Sequence, residues 1–286
     1  MTLVARAPGK VNLCLFLGPV RSDGRHELVT LFQSVSLADE ISVEVAERDE
    51  VICPDVDGPN LVQRALAGLR EHGWDAPPVR VVIRKEIPVA GGMGGGSADA
   101  AAMLRIAPAL APVGEGVVSE LAASLGSDVP SQLVPGVAIG TGAGEVVGRF
   151  EPRRPHALVI VPQAFGLSTA GVYREADRLG LPRDAADLSA RHRELVNALA
   201  ADSWLLGNDL EPAARSLAPE IGVALEAVSE GSEAMVSGSG PTVFGLISGA
   251  GALARAEALA ARLADRYPGA TAATPVSEEF GAPRGS

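Results

Sequence analysis

Two cysteines are all that this chain of 286 residues contains, Cys14 and Cys53, far apart and in no metal-ligand spacing. A disulfide scaffold and a cysteine-based zinc cluster are thereby excluded. Cys14, inside the apolar run Val11 to Leu17, reads as a small buried hydrophobe. Long apolar runs are missing as well: none approaches the eighteen or so residues of a membrane-spanning helix, and the first residues lack an apolar signal core. A cytoplasmic location without membrane association is expected. Positive charge is in the minority, 24 Lys and Arg against 35 Asp and Glu, for a formal net charge of −11. That balance argues against non-specific binding of nucleic acid or anionic membranes. Any phosphate ligand must be held by local dipoles and a few cations. Aromatic residues make up only 3%, so each one is worth locating.

What remains is an ordinary globular composition, 47% apolar and 21% charged, long enough for one or two domains with a large core. Its most informative stretch is Pro88-Val-Ala-Gly-Gly-Met-Gly-Gly-Gly-Ser-Ala98. The glycines at 91, 92, 94, 95 and 96 leave backbone N–H groups free to close on a ligand. Ser97 is expected to cap a helix of strong helix formers, Ala98 to Leu104. A glycine loop feeding a helix N-terminus presents unpaired donors and a positive dipole end, which suit an anionic phosphate. A valine at Gly95 is expected to put its side chain where backbone and phosphate must meet. A purely structural turn would not require so many glycines, each costly to order. The segment is no P-loop, since no Gly-Lys-Ser/Thr closes it. Neither is it a dinucleotide fingerprint: Pro88 and Val89 part it from the preceding strand, and no strand ending in an acidic residue follows about twenty residues later.

Along the chain, Val11 to Leu17, Leu28 to Leu37 and Ile41 to Val45 read as strands, with a turn at Ser22-Asp-Gly24. Asn60 is expected to cap a helix to about His72, followed by a strand at Val79 to Ile83 and a helix from Val117 to Leu125 that Gly126 stops. After a strand at Val137 to Gly140 and a Gly-rich turn, the proline-rich Glu151 to Pro155 marks the best boundary. Domains of residues 1–152 and 153–286 are expected. In the second, strands at His156 to Val161 and Ala272 to Val276 flank helices at Ser168 to Leu179, Glu194 to Leu206, Pro212 to Val228 and Leu253 to Arg266. A strand–turn–strand unit spans Ala234 to Ile247. Helices and strands mix without a βαβα rhythm, so the expected class is α+β. The last residues, Pro283 to Ser286, receive no weight.

Three segments carry a resemblance: Ala7-Pro-Gly-Lys10-Val-Asn12-Leu13, the glycine loop, and Ser237-Gly-Ser-Gly-Pro-Thr242. Together, in this order, they resemble the GHMP kinase superfamily of small-molecule kinases. Further blocks are Asp23-Gly-Arg-His26-Glu-Leu28, Thr30-Leu-Phe-Gln33, Gly126-Ser-Asp128-Val-Pro130, Gly140-Thr-Gly-Ala-Gly-Glu145 and Asn208-Asp-Leu-Glu-Pro212. They make the likeness closest to the branch that acts on a cytidine diphosphate-linked methylerythritol in non-mevalonate isoprenoid synthesis. The resemblance implies a two-domain α+β fold, with an N-terminal ribosomal-protein-S5-like nucleotide domain and a C-terminal ferredoxin-like domain. It implies transfer of the ATP γ-phosphoryl group to the substrate's 2-hydroxyl, with Mg²⁺ as cofactor, metal ligands unassigned and oligomeric state open. ATP would be wrapped by Pro88, Val89, Ala90, Gly91, Gly92, Met93, Gly94, Gly95, Gly96, Ser97 and Ala98. Lys10 and Asp128 would form the catalytic pair, and Asn12, Arg25, His26, Thr169 and Tyr173 would line the substrate pocket.

By residue type alone these assignments stay open. A lysine early in a strand is commonly solvated, Asp128 suits a turn, His26 a structural role and Tyr173 a core-facing helix position. The chain departs from the family in having Arg25 where tyrosine is usual. That removes one expected ring from the cytosine pocket and substitutes a guanidinium able to stack on a base or meet the diphosphate. Met93 for leucine conserves volume. Asp99 for asparagine suits the helix dipole but is awkward beside phosphates. The competing expectations are another GHMP kinase, acting on homoserine, mevalonate or a sugar, and a non-catalytic nucleotide-binding member.

Overall fold

The computed structural model describes residues 2–54, 56, 58–151 and 154–285. The expected boundary, between residues 152 and 153, lies outside the described residues. The chain opens with two long antiparallel strands, β1 (Thr2–Val20) and β2 (His26–Val45), joined by the turn around Gly24. The stretches 28–37 and 41–45 are thus one continuous strand rather than two. β2 pairs along Glu40–Val45 with β4 (Val79–Arg84) and along Thr30–Gln33 with β5 (Val137–Thr141). β3 (Glu50–Ile52) lies beside β4, and β6 (Val146–Phe150) beside β5. One face of this sheet is covered by α1 (Leu61–Glu71) and α2 (Gly95–Leu110), with α3 (Val117–Leu125) and α4 (Val129–Gln132) completing the layer. Asn60 caps α1 in a reciprocal capping box with Gln63, as its side chain leads one to expect. The alanines of α2, from Ala98 to Ala102, are fully buried, and their small size lets the helix lie close against β1.

Residues of the second half build an antiparallel sheet from β7 (His156–Val161), β9 (Glu233–Val236), β10 (Val243–Ser248) and β11 (Thr271–Ala273), in the order β11-β7-β10-β9. Between β7 and β9 run α5 (Thr169–Arg178), α6 (Ala185–Ala200), the two-residue β8 (Gly207–Asn208), α7 (Glu211–Leu217) and α8 (Glu220–Ser229). α9 (Ala252–Leu263) connects β10 to β11. Counting these four strands along the chain gives the order 4-1-3-2 with helical crossovers, the split βαβ arrangement of ferredoxin-like domains. The helix expected at 194–206 instead begins nine residues earlier, where Asp184 caps it through Asp187 N–H. The helix expected from 212 to 228 is two. Ala218 precedes Pro219 and sits at φ −143°, ψ 89°, because a following proline disfavours the helical region.

The halves are not separate beads. β8 pairs with β1 at Cys14 and Leu15, and beyond α10 (Glu278–Gly281) the short β12 (Arg284–Gly285) pairs with β1 at Leu3 and Val4. The tail given no weight in the sequence therefore closes a sheet edge. Arg105 helps to fix this end, donating to the carbonyls of Arg6, Gln132 and Gly281. A buried cluster joins Val11, Leu13 and Leu31 of the first sheet to Leu158, Ile160 and Phe244 of the second. Each such side chain contributes about 1.5–3 kcal/mol by leaving water. Cys14 is fully buried there, its thiol pushed up to about 12 by that burial. Among the described residues no helix is long and apolar enough to cross a membrane.

Candidate active site

Register shifts interrupt the β1–β2 pairing between Pro8 and Lys10 and again between Asn12 and Cys14. Such bulges re-aim side chains, and the segment between them presents Lys10 and Asn12 to a cleft of about 930 Å³. The Lys10 side chain is only 5% exposed, and its ammonium is engaged on several sides. It reaches Asn12 Oδ1 at 2.7 Å, the Gly92 carbonyl at 3.1 Å and Asp128 Oδ2 at 3.3 Å, matching its three donors with three oxygens. Asn12 in turn donates to Thr30 Oγ1, whose hydroxyl donates to the Cys14 carbonyl, both at 2.7 Å. This relay locks the Asn12 amide with its oxygen towards the lysine. Phe32 lies beneath, its ring 5.8 Å from the ammonium. Gly126 ends α3 in an extended conformation and α4 starts at Val129, so Asp128 stands in the gap between two helices. Its carboxylate, about one-third exposed, faces the cleft.

The glycine loop lies between Lys10 and the turn at 237–242. Met93 O accepts from Lys10 N–H, Gly92 O from Ser237 Oγ, and Gly91 O from Thr242 N–H. With the loop's carbonyls thus engaged, the N–H groups at the start of α2 are the ones that a helix leaves without internal acceptors. Gly94, at φ +67°, caps α2 without a side-chain bond. Ser97 is therefore the third helical residue and not the cap. A Cβ at Gly94 would stand 3.1 Å from Lys10 Cε and 3.5 Å from Asp128 Oδ2, which shows how closely the loop approaches that pair. Pro88 through Ser97 all line the cleft. Ala98 does not: it is buried, and its N–H donates to Gly94 O in the first full helical turn. The expectation for Gly95 changes too. A Cβ there would point at Ile87, Lys85 and Asp39, under the loop, whereas Gly96 is exposed and would meet nothing nearer than Leu61 Cδ1 at 3.9 Å.

Beneath the loop, Lys85 sits between Asp39 and Asp99, 2.8 Å from Asp99 Oδ2. Asp39 also accepts the N–H groups of Glu86 and Ile87. Asp99 Oδ1 has no partner among the described residues. Burial pushes the Asp99 carboxyl up to about 7, with the Asp39 charge adding and Lys85 opposing. The residue whose charge suits phosphates poorly is thus turned to an ammonium. A carboxyl raised in the folded state binds its proton more tightly there than in the unfolded chain. Its contribution is present below about pH 4 and is lost as pH rises through about 7. Asp99→Asn should flatten this dependence. Between pH 5 and 8 the variant should gain stability relative to wild type, because it has no carboxyl to lose its proton over that range. Urea unfolding at both pH values checks it, and parallel curves for the two proteins would refute it.

At the other end of the cleft, Thr169 Oγ1 meets Ser239 Oγ at 3.1 Å, and the Tyr173 and His26 rings lie 5.5 Å apart, tilted by 37°. The Tyr173 hydroxyl is pushed up by burial and by the Asp128 charge, and both residues line the same cleft. Arg25 lines the mouth. Its Nε and one terminal nitrogen both hold Asp23, at 3.0 and 2.9 Å, and the other approaches Ser127 Oγ at 3.4 Å. The structure thus brings together every substrate-pocket residue expected from sequence. It adds Phe32, Lys85, Arg174, Asp177 and Ser239 to the lining. For Asp177 a signal existed, the four-residue spacing from Thr169 and Tyr173. For Lys85 and Asp39, 46 positions apart, only the β2–β4 pairing reveals the contact.

Two family models match the sequence: GHMP kinases N terminal domain over residues 60–136, and GHMP kinases C terminal over residues 185–268. A 4-diphosphocytidyl-2-C-methyl-D-erythritol kinase of Corynebacterium efficiens is 43% identical over 266 residues, covering 85% of this chain and 84% of that protein. One of the same name from Streptomyces coelicolor is 42% identical, covering 85% and 86%. A crystal structure of 4-(cytidine 5'-diphospho)-2C-methyl-D-erythritol kinase superposes with a TM-score of 0.78 at 33% identity, over 95% of this chain and 98% of that one. The homoserine kinase of Cytophaga hutchinsonii shares the fold, with a TM-score of 0.68 at 17% identity over 99% and 96% of the two chains.

Proposed function

This chain belongs to the GHMP kinases, and on that premise we propose that it is the ATP-dependent kinase of 4-diphosphocytidyl-2-C-methyl-D-erythritol, phosphorylating the 2-hydroxyl in the non-mevalonate route to isoprenoid precursors. It is a phosphotransferase with an alcohol acceptor, working on small molecules, in our reading in the cytoplasm. The observation that carries the mechanism is the Lys10–Asp128 pair, 3.3 Å apart, at the junction of the glycine loop and the Tyr173–His26 wall.

The triphosphate lies along the N–H groups of Gly94 to Ser97, at the positive end of α2. The apolar lobe lined by Cys53, Val56, Leu61 and Ile83, beside Asn60, suits the flat face of the nucleobase. The substrate's cytosine rests against Tyr173 and His26, and its diphosphate passes Arg25 and Arg174, the cations at that end of the cleft. Its hydroxyl oxygen then faces Asp128, which orients it and accepts its proton as the oxygen bonds to the γ-phosphorus and the bond to the β–γ bridging oxygen breaks. Lys10 offsets the charge that develops on the transferred group. Mg²⁺, when bound, neutralises phosphate charge. Among the described residues no group of three or more His, Cys, Asp or Glu side chains is placed to hold a metal ion. A cation there would be held mainly by substrate phosphates and water, and Ser97 is the loop side chain whose hydroxyl could touch it or a phosphate. In domain terms, residues 1–152 carry the nucleotide and 153–286 close the cleft.

An ADP-release assay with Mg²⁺ tests the reading. We expect turnover with the cytidyl substrate and none with homoserine or mevalonate. Turnover of either of those alone would identify another GHMP kinase, and ADP from none of the three would identify a non-catalytic binding member.

A further inference from the structure

Thr169, Tyr173 and Asp177 stand at four-residue intervals on α5 and all line the cleft, the spacing that stacks side chains along one helix face. Each makes its contact outside the helix. Thr169 and Tyr173 meet Ser239 and His26 as described, while Asp177 Oδ1 lies 3.1 Å from His26 Nε2. The other ring nitrogen, Nδ1, lies 2.9 Å from the carbonyl oxygen of Gly18. A carbonyl can only accept, so Nδ1 carries a hydrogen towards it, and the carboxylate holds Nε2 when that nitrogen carries one too, both being donors in the imidazolium form. A carboxylate on one side and a carbonyl on the other leave the imidazole, itself 5% exposed, with both nitrogens committed. The ring cannot turn over without giving up a partner, and neither nitrogen is left to read the polar edge of a ligand. What His26 offers is its face, and that face adjoins Tyr173.

We infer that Asp177 is a positioning residue for the planar base of the substrate: from α5 it fixes the His26 ring of β2, so that His26 and Tyr173 form a two-ring wall assembled before the base arrives. Asp177 carries no phosphate and touches no reacting atom; it acts through His26. The benefit is preorganisation, since rings already ordered lose little freedom when the base stacks on them. The contact also joins the two halves of the chain across the cleft, because β2 belongs to the first sheet and α5 packs with the second. The inference rests on reading this end of the cleft as the cytidyl subsite.

Asp177→Asn keeps the size of the side chain and removes its charge. At 46% side-chain exposure, its loss leaves folding nearly unaffected. Binding of cytidine monophosphate, with ADP saturating the glycine loop, and steady-state kinetics are the two measurements. In Asp177→Asn the Kd for cytidine monophosphate and the KM for the cytidyl substrate should rise about 5- to 30-fold, within the range of one stacked base. The KM for ATP and kcat should stay within about twofold. Asp177→Glu, which restores the carboxylate, should recover part of the loss. In a His26→Phe background, where no ring nitrogen remains to be held, Asp177→Asn should change affinity by less than about twofold. Unaltered affinity in Asp177→Asn, an equal effect in both backgrounds, or a matching rise in the KM for ATP would overturn the inference. Wild-type protein that fails to bind cytidine monophosphate would remove the subsite reading itself, and the inference with it. Binding by wild type that is unchanged in the variant removes the inference alone.

Discussion

Asp128→Asn should lower kcat by about 10²- to 10⁴-fold while leaving the affinity for ATP within about twofold. Asparagine keeps the shape of the side chain and an oxygen towards Lys10, but it cannot take a proton. The ammonium keeps its two other oxygens, Asn12 Oδ1 and Gly92 O, so the loop stays in place. The lost ion pair is one-third exposed on the carboxylate side, and solvent screening keeps its contribution to folding small. A fall near the upper end of the range identifies Asp128 as the proton acceptor. One near the lower end identifies orientation of the hydroxyl as its main task, since phosphoryl transfer through a loose transition state asks little of a base. Turnover by ADP release and ATP affinity by calorimetry decide the matter. Loss of ATP binding in parallel with turnover would show that the residue supports the loop and not the acceptor.

Gly92→Ala should be the most damaging single methyl group in the glycine loop. Gly92 sits at φ +80°, and a Cβ there would stand 2.3 Å from Ser237 O and 2.8 Å from Gly240 O. Both atoms are backbone in the tightly bonded turn at 237–242, so neither can swing aside. The left-handed conformation costs a side-chain-bearing residue about 1–2 kcal/mol, and overpacking adds about 1–3 kcal/mol. That is a large share of the roughly 5–15 kcal/mol that holds a domain together. We expect a lower melting temperature and loss of ATP binding together. Gly96→Ala provides the contrast. Its Cβ meets only Leu61 Cδ1 at 3.9 Å, and alanine is the better helix former by about 1 kcal/mol. That variant should melt no lower than wild type while its KM for ATP rises, because the new methyl projects into the cleft. Equal melting temperatures for Gly92→Ala and wild type would contradict the structure, and an unchanged KM for ATP in Gly96→Ala would contradict the proposed position of the triphosphate.

The two glycines also show how far the sequence could be read. That a glycine-rich turn feeds a helix was legible, because five positions without side chains and an alanine-rich continuation leave few alternatives. Which glycine faces what was not. Gly92, Gly95 and Gly96 look alike on paper, yet one presses on a neighbouring turn, one points at a buried lysine and one opens to the cleft. Capping shows the same division. Asn60 and Gln63 announce α1 through contacts three residues apart, whereas Ser97 looks like a cap and is not one, since Gly94 in the left-handed region starts the helix earlier. Proline gave a local signal that the helical pattern of 212–228 obscured: Pro219 splits the stretch by acting on the residue before it.

What the chain determined alone was therefore local and chemical, a mixture of helices and strands and a glycine-rich turn feeding a helix, whereas Lys10, Asp128, His26 and Tyr173 stood out only through the resemblance to the GHMP kinases. The mixture of elements and the turn follow from side-chain and backbone properties within a few positions of one another. Tertiary structure alone decided that Lys10 meets Asp128 across 118 positions, that Lys85 is held by Asp39 and Asp99, and that Asp177 closes on His26. The Lys10 contact depends on two register shifts in the β1–β2 pairing, and the Lys85–Asp39 contact on the pairing of β2 with β4. Strand register over such distances is set by the shared buried core, not by any pattern within a single segment.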